Sequence, residues 1–135
     1  MYEVSRTFDW CMGHRIMGHE GRCRRLHGHN YRATVWVKSS RLDDNGFVID
    51  FGELKAVEKW VDEYWDHRVL LFKDDPLVEL GENKGVSVVE FEHHPTAERI
   101  AEYLARLAVR YLGVSAGSVR VSVEETPRNV AEWRI

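Results

Sequence analysis

From His27 to Lys38 the sequence HGHNYRATVWVK alternates, with His27, His29, Tyr31, Ala33, Val35 and Val37 on one parity and mostly polar residues on the other. Successive side chains of a strand leave opposite faces, so this run specifies a strand with one apolar face whose first turns carry two imidazoles. A half-buried strand needs a neighbour. The preceding YEVSRTFDW, in which Tyr2, Val4, Arg6 and Phe8 alternate imperfectly with polar residues, supplies the other arm of a hairpin across the Gly-rich and Arg-rich loop GHEGRCRR.

Helical periodicity takes over after Asp50. Leu54, Val57, Trp60, Val61 and Tyr64 recur at helical spacing, predicting an amphipathic helix from Phe51 to about Tyr64. A loop-rich stretch follows, with Asp74, Asp75 and Pro76 as breakers and a short strand at Val86 to Val89 as its one candidate element. Pro95, read as part of a first helical turn, opens a second amphipathic helix through Ile100, Leu104, Leu107 and Tyr111, and Gly113 ends it. The tail alternates as SVRVSVEET and NVAEWRI, two further strands. The order strand, strand, helix, helix, strand, strand predicts an α+β fold: a four-stranded antiparallel sheet with two helices on one face. With no repeat or linker in its 135 residues, the chain reads as a single domain over 1–135, long enough to bury a core without disulfides.

Charge and cysteine content narrow the function classes. A formal charge of −3 with scattered basic residues gives no general attraction for nucleic acid or anionic lipid. No stretch approaches the roughly 20 apolar residues of a spanning helix, and MYEVSRTFDW lacks the apolar run of a signal peptide, so the expectation is a soluble cytoplasmic protein. Cys11 and Cys23 are too few for a disulfide framework.

His27 and His29, two apart on a strand, leave the same face, and His14, just past the first strand, can swing over that face and supply a third nitrogen if the two strands pair. Three histidines leave a tetrahedral zinc one open position, the arrangement of catalytic sites. Spacing alone is equally compatible with a strand start bearing exposed histidines. Cys23, among Arg22, Arg24 and Arg25, has the neighbours that favour a thiolate, and stands as a base or nucleophile, a fourth metal ligand, or a plain loop thiol. Cys11, inside the first strand, reads as a small buried apolar residue. Asp66 and His67 are adjacent after the first helix. A carboxylate beside an imidazole prepares it for proton transfer, yet neighbours in sequence seldom hydrogen-bond well, so a helix-end pair is the plainer reading. Glu98 and Glu125 read as a first-turn acid and a strand charge, though either carboxylate can accept two hydrogen bonds from an amidine-like edge. His19, His93 and His94 read as solvated loop residues.

Six stretches in order, FDWCMGH, CRRLHGHNY, VIDFGELK, DH at 66 and 67, PTAERIA and VEET, resemble the 6-pyruvoyltetrahydropterin synthase and 6-carboxytetrahydropterin synthase family from the first strand to the last. The resemblance implies the tunnelling fold, zinc held by His14, His27 and His29, a catalytic thiol at Cys23 and a catalytic pair at Asp66 and His67. It also implies a pterin grip by Glu98, with Thr96 and Glu125 in the same site. Three residues between Cys23 and His27 resemble the 6-carboxytetrahydropterin synthases of the deazapurine (queuosine) pathway, the pyruvoyl enzymes having a longer gap. The implied reaction converts 7,8-dihydroneopterin triphosphate to 6-carboxy-5,6,7,8-tetrahydropterin with release of triphosphate and acetaldehyde. Arg22, Arg24 and Arg25 are the candidate triphosphate partners. The implied assembly is a homohexamer, a dimer of trimers, in which Asp66 and His67 reach a neighbour's zinc. Gly13 where alanine is frequent, RVLL after His67, and the long 72–94 loop depart from the family pattern and bear on side-chain specificity.

Overall fold

The computed structural model describes residues 1–135, the side chain of Asn83 excepted. The hairpin is formed by β1 (Tyr2–His14) and β2 (His27–Ser39). Then come α1 (Phe51–Tyr64), β3 (Arg68–Phe72), a single turn α2 (Leu80–Asn83), β4 (Val88–Phe91), α3 (Ala97–Leu112), β5 (Val119–Thr126) and β6 (Asn129–Arg134).

The sheet has six strands rather than four, in the order β4-β3-β1-β2-β5-β6. The expected antiparallel set is present as β1, β2, β5 and β6, but β3 runs parallel to β1 and β4 parallel to β3, so the sheet is mixed. The two extra strands explain why alternation missed part of the fold. In β3 the neighbours Leu70 and Leu71 are both buried, as in a parallel strand covered on both faces, and such a run shows no polar alternation. The short strand expected at Val86 to Val89 is β4, shifted to Val88–Phe91.

Parity along the hairpin decides the core. Phe8, Trp10, Met12 and His14 of β1 and Tyr31, Ala33, Val35 and Val37 of β2 are buried on one face. Trp10 and Tyr31, paired across the strands, stack with ring centres 5.1 Å apart. Ile100, Ala101, Leu104, Ala105 and Ala108 of α3 and Val57 and Val61 of α1 join the same cluster. Burial of a side chain such as Ile100 or Leu104 contributes roughly 1.5–3 kcal/mol. Cys11, expected to be buried, lies on the other parity and is exposed, and its thiol donates to Asn30 Oδ1 at 3.0 Å.

Caps place the helices. Asp50 Oδ1 accepts from the Gly52 N–H at the start of α1, and Thr96 Oγ1 accepts from the Arg99 N–H at the start of α3. Pro95, expected inside the first turn, precedes that cap, which leaves its carbonyl free to reach β1. Gly113, with φ 64°, takes the left-handed conformation that terminates α3, as its type and position predict.

Candidate metal centre

Strand register gathers the three histidines. His14 pairs with His27 and Met12 with His29, and partners in an antiparallel ladder share a face, so all three imidazoles emerge on the helix-covered side at the loop end of the hairpin. Between them Gly13 pairs with Gly28, and a Cβ on Gly28 would lie 3.1 Å from the Met12 carbonyl oxygen. The glycine of His-Gly-His therefore permits the close strand approach beside the histidines. Ring centres are 4.6 Å apart for His14 and His27, 5.1 Å for His14 and His29, and 5.0 Å for His27 and His29. One ring nitrogen from each lies within 4.8 Å of the other two.

Backbone carbonyls choose which nitrogen faces inward. His14 Nδ1 lies 2.7 Å from Pro95 O and His27 Nδ1 lies 2.6 Å from Arg25 O. A carbonyl only accepts, so each Nδ1 carries the proton and each Nε2 keeps its lone pair. Among the described residues, His14 Nε2 and His29 Nε2 are buried and have no hydrogen-bond partner. The Glu125 carboxylate stands 3.7 Å from the first and 4.0 Å from the second. Burial pushes the His14 imidazole down to about 4, with the Pro95 carbonyl opposing and His27 and His29 adding to the shift. Burial, then His27, also lowers His29. The three imidazoles thus converge, with Glu125 beside them, on one small space, which a divalent cation would satisfy. Three imidazole nitrogens suit zinc, and also nickel, copper and iron.

The other expected site residues fall into two groups. Glu125, at the end of β5, is pushed toward its protonated form by burial and by the charge of Glu98, with His27 opposing. Thr96 stands at the same end of α3, and its hydroxyl is engaged as the helix cap. Cys23 lies exposed in the turn Arg22–Arg24, its carbonyl accepting from the Ile16 N–H at 2.7 Å. Among the described residues its sulfur is not one of the converging ligand atoms. Arg22, Arg24 and Arg25 are exposed around it, and His19, His93 and His94 are exposed as their loop positions predict.

Asp66 and His67 do bond each other, Oδ1 to Nδ1 at 2.9 Å. Neighbours manage this because His67 has a left-handed backbone, φ 61°, a conformation that costs a non-glycine residue about 1–3 kcal/mol. The surroundings hold it: the His67 N–H donates to Cys11 O at 2.7 Å, and the Cys11 N–H donates to Asp66 Oδ1 at 3.0 Å. Although burial opposes it, the hydrogen bonds from Cys11 and His67 hold the Asp66 carboxyl below its ordinary value. His67 shares a cleft of about 450 Å³ with Cys11 and Asn30, whose side chains leave the sheet face opposite the three histidines, and the cleft also reaches Met12 and His29 on the neighbouring strand positions. The pair and the histidine cluster therefore belong to different faces of the same hairpin.

One arrangement escaped the sequence reading. Arg15 forks onto the buried Asp75, Nε to Oδ2 at 2.7 Å and Nη2 to Oδ1 at 2.5 Å, and Asp75 had shown itself only as a loop breaker.

A family profile described as 6-pyruvoyl tetrahydropterin synthase matches residues 3–135. The chain is 38% identical over 109 residues to a Rickettsia felis 6-carboxy-5,6,7,8-tetrahydropterin synthase, covering 77% of this chain and 78% of that protein. It is 42% identical over 117 residues to a probable 6-carboxy-5,6,7,8-tetrahydropterin synthase of Halobacterium salinarum, covering 85% and 75%. Its fold superposes on the solved Plasmodium falciparum 6-pyruvoyl tetrahydropterin synthase with a TM-score of 0.77 at 25% identity, covering 98% and 96% of the two chains.

Proposed function

The chain belongs to the 6-pyruvoyl tetrahydropterin synthase family, and from that premise we propose that it is a zinc-dependent 6-carboxytetrahydropterin synthase. Its substrate in this reading is 7,8-dihydroneopterin triphosphate, and it releases triphosphate and acetaldehyde, a lyase reaction feeding deazapurine (queuosine) biosynthesis. The observation that carries the reading is the pair of buried, partnerless Nε2 atoms of His14 and His29 facing Glu125. Support for the carboxy product comes from relatives that bear that name.

His14, His27 and His29 would hold the zinc through Nε2. Bound there, zinc would supply a Lewis acid for the oxygens of the substrate side chain. Glu98 and Glu125 offer acceptors to the donor edge of the pterin, Thr96 closing the same end of the site. Cys23, on the turn between the ligand strands, accepts a side-chain proton as general base. His67 is the second proton-transfer group, with Asp66 fixing Nδ1–H and leaving Nε2 to exchange protons. His67, exposed beside Cys11 and outside the converging histidines, serves a neighbour's site in a homohexamer built as a dimer of trimers.

Zinc-loaded protein incubated with 7,8-dihydroneopterin triphosphate tests the reading by product mass. Carboxytetrahydropterin with acetaldehyde supports it. A product keeping every side-chain carbon would make the chain a pyruvoyl enzyme, and no turnover would leave a pterin or metal binder.

A further inference from the structure

We propose that Arg15 is a positioning residue for Cys23, and that Asp75 is the anchor that holds Arg15 to this task. Arg15 directly follows the histidine that closes β1. Its guanidinium forks onto Asp75 through Nε and Nη2, while Nη1 reaches Arg24 O at a long 3.5 Å. The adjacent Ile16 N–H donates to Cys23 O at 2.7 Å. Two consecutive residues therefore hold two consecutive carbonyls of the turn that presents the thiol.

The anchor is itself rigid. Asp75 is 3% exposed. Its backbone N–H donates to Phe72 O at 2.9 Å, and its Oδ1 also accepts from the Leu77 N–H at 2.9 Å. A bidentate guanidinium on such a carboxylate has one orientation, which aims the remaining nitrogen at the turn. His14 reaches Pro95 O from the same strand end. The long connection from Lys73 to Pro95 thus braces the metal-ligand strand at one residue and the thiol turn through the next. This gives the connection from Lys73 to Pro95 a function: it supplies the fixed point against which Cys23 is placed.

The inference rests on Cys23 being the base of the proposed lyase, so its test has one arm that does not depend on turnover. Arg15→Lys keeps a cation beside the buried Asp75 but loses the fork and the arm to Arg24 O. In zinc-loaded Arg15→Lys, amide hydrogen exchange at Ile16 is expected to rise by about 10-fold or more, while amides of Tyr31 to Val37 and the zinc content stay as in the parent. Turnover is expected to fall by about 10-fold or more in kcat with KM little changed. In a Cys23→Ala background the same substitution should then cost nothing further, a non-additivity that general loosening would not produce. Asp75→Asn, which keeps the shape of the anchor, is the second variant and should show the same exchange pattern. Unchanged Ile16 exchange in the folded, zinc-loaded variants overturns the positioning role whatever Cys23 does. Additive losses of kcat in the double variant overturn it too. Full turnover by Cys23→Ala alone would instead remove Cys23 from the chemistry, and that failure is visible before Arg15 is touched.

Discussion

His14 Nδ1 sits 2.7 Å from the carbonyl oxygen of Pro95, so a residue placed just before the α3 cap decides which nitrogen of a β1 histidine faces the centre. With Nδ1 committed, Nε2 of His14 joins those of His27 and His29. The purified protein is expected to carry about one zinc per chain, and His27→Ala or His29→Ala to lose most of it. Zinc analysis of the two variants checks this, and full retention in both would refute the ligand set.

Cys23 lies outside the converging set, on an exposed turn. Cys23→Ala is therefore expected to keep its zinc and to lose turnover by roughly 100-fold or more, the scale for removing a general base. Loss of metal together with activity would make the thiol a ligand instead.

Asp75 links acid stability to the same region. Its hydrogen bonds from Arg15 hold the carboxyl below its ordinary value against the opposing effect of burial, with the Leu77 N–H adding to them. A folded-state value depressed below the unfolded one contributes stability that is fully present above about pH 4 and is lost as pH falls through the lowered value. Asp75→Asn should then cost about 3 kcal/mol at pH 7, the low end for breaking a buried pair because Arg15 is partly open to solvent. Urea unfolding at pH 7 and pH 3 should show the difference from the parent shrinking in acid. An equal difference at both values would contradict this origin.

The opposite-face placement of His67 and the histidine cluster predicts complementation. Cys23→Ala and His67→Ala chains, each inactive alone, are unfolded together and reassembled in equal amounts. If a site takes Cys23 from one chain and His67 from another, about a quarter of sites are intact and activity returns to about a quarter of normal. Reassembly confirmed by mass, with activity no higher than in the single variants, would place both residues in one chain's site.

The hairpin and the three histidines were legible in sequence because both depend on parity: alternation fixes the faces, and antiparallel pairing carries His14 to His27. Parity was also the better guide where residue type misled. Cys11 is exposed because it falls between Trp10 and Met12, which point into the core. Strand β3 was hidden because it is buried on both sides, and a short apolar run has no period to read. The Asp66 to His67 bond was hidden for a different reason, since it needs the left-handed backbone at His67 that its own residue type does not announce. Arg15 and Asp75, 60 positions apart and on no shared element, meet only once the sheet has formed.

Zinc-edge X-ray absorption on the resting, zinc-loaded protein tests the central claim most directly, because it counts the ligands that His14, His27 and His29 are proposed to supply. The account predicts three imidazole nitrogens at about 2.0–2.1 Å with a light-atom ligand in the remaining position and no sulfur. A sulfur scatterer at about 2.3 Å would contradict it, closing the site with a thiolate and removing both the open position and the free base on which the proposed chemistry depends.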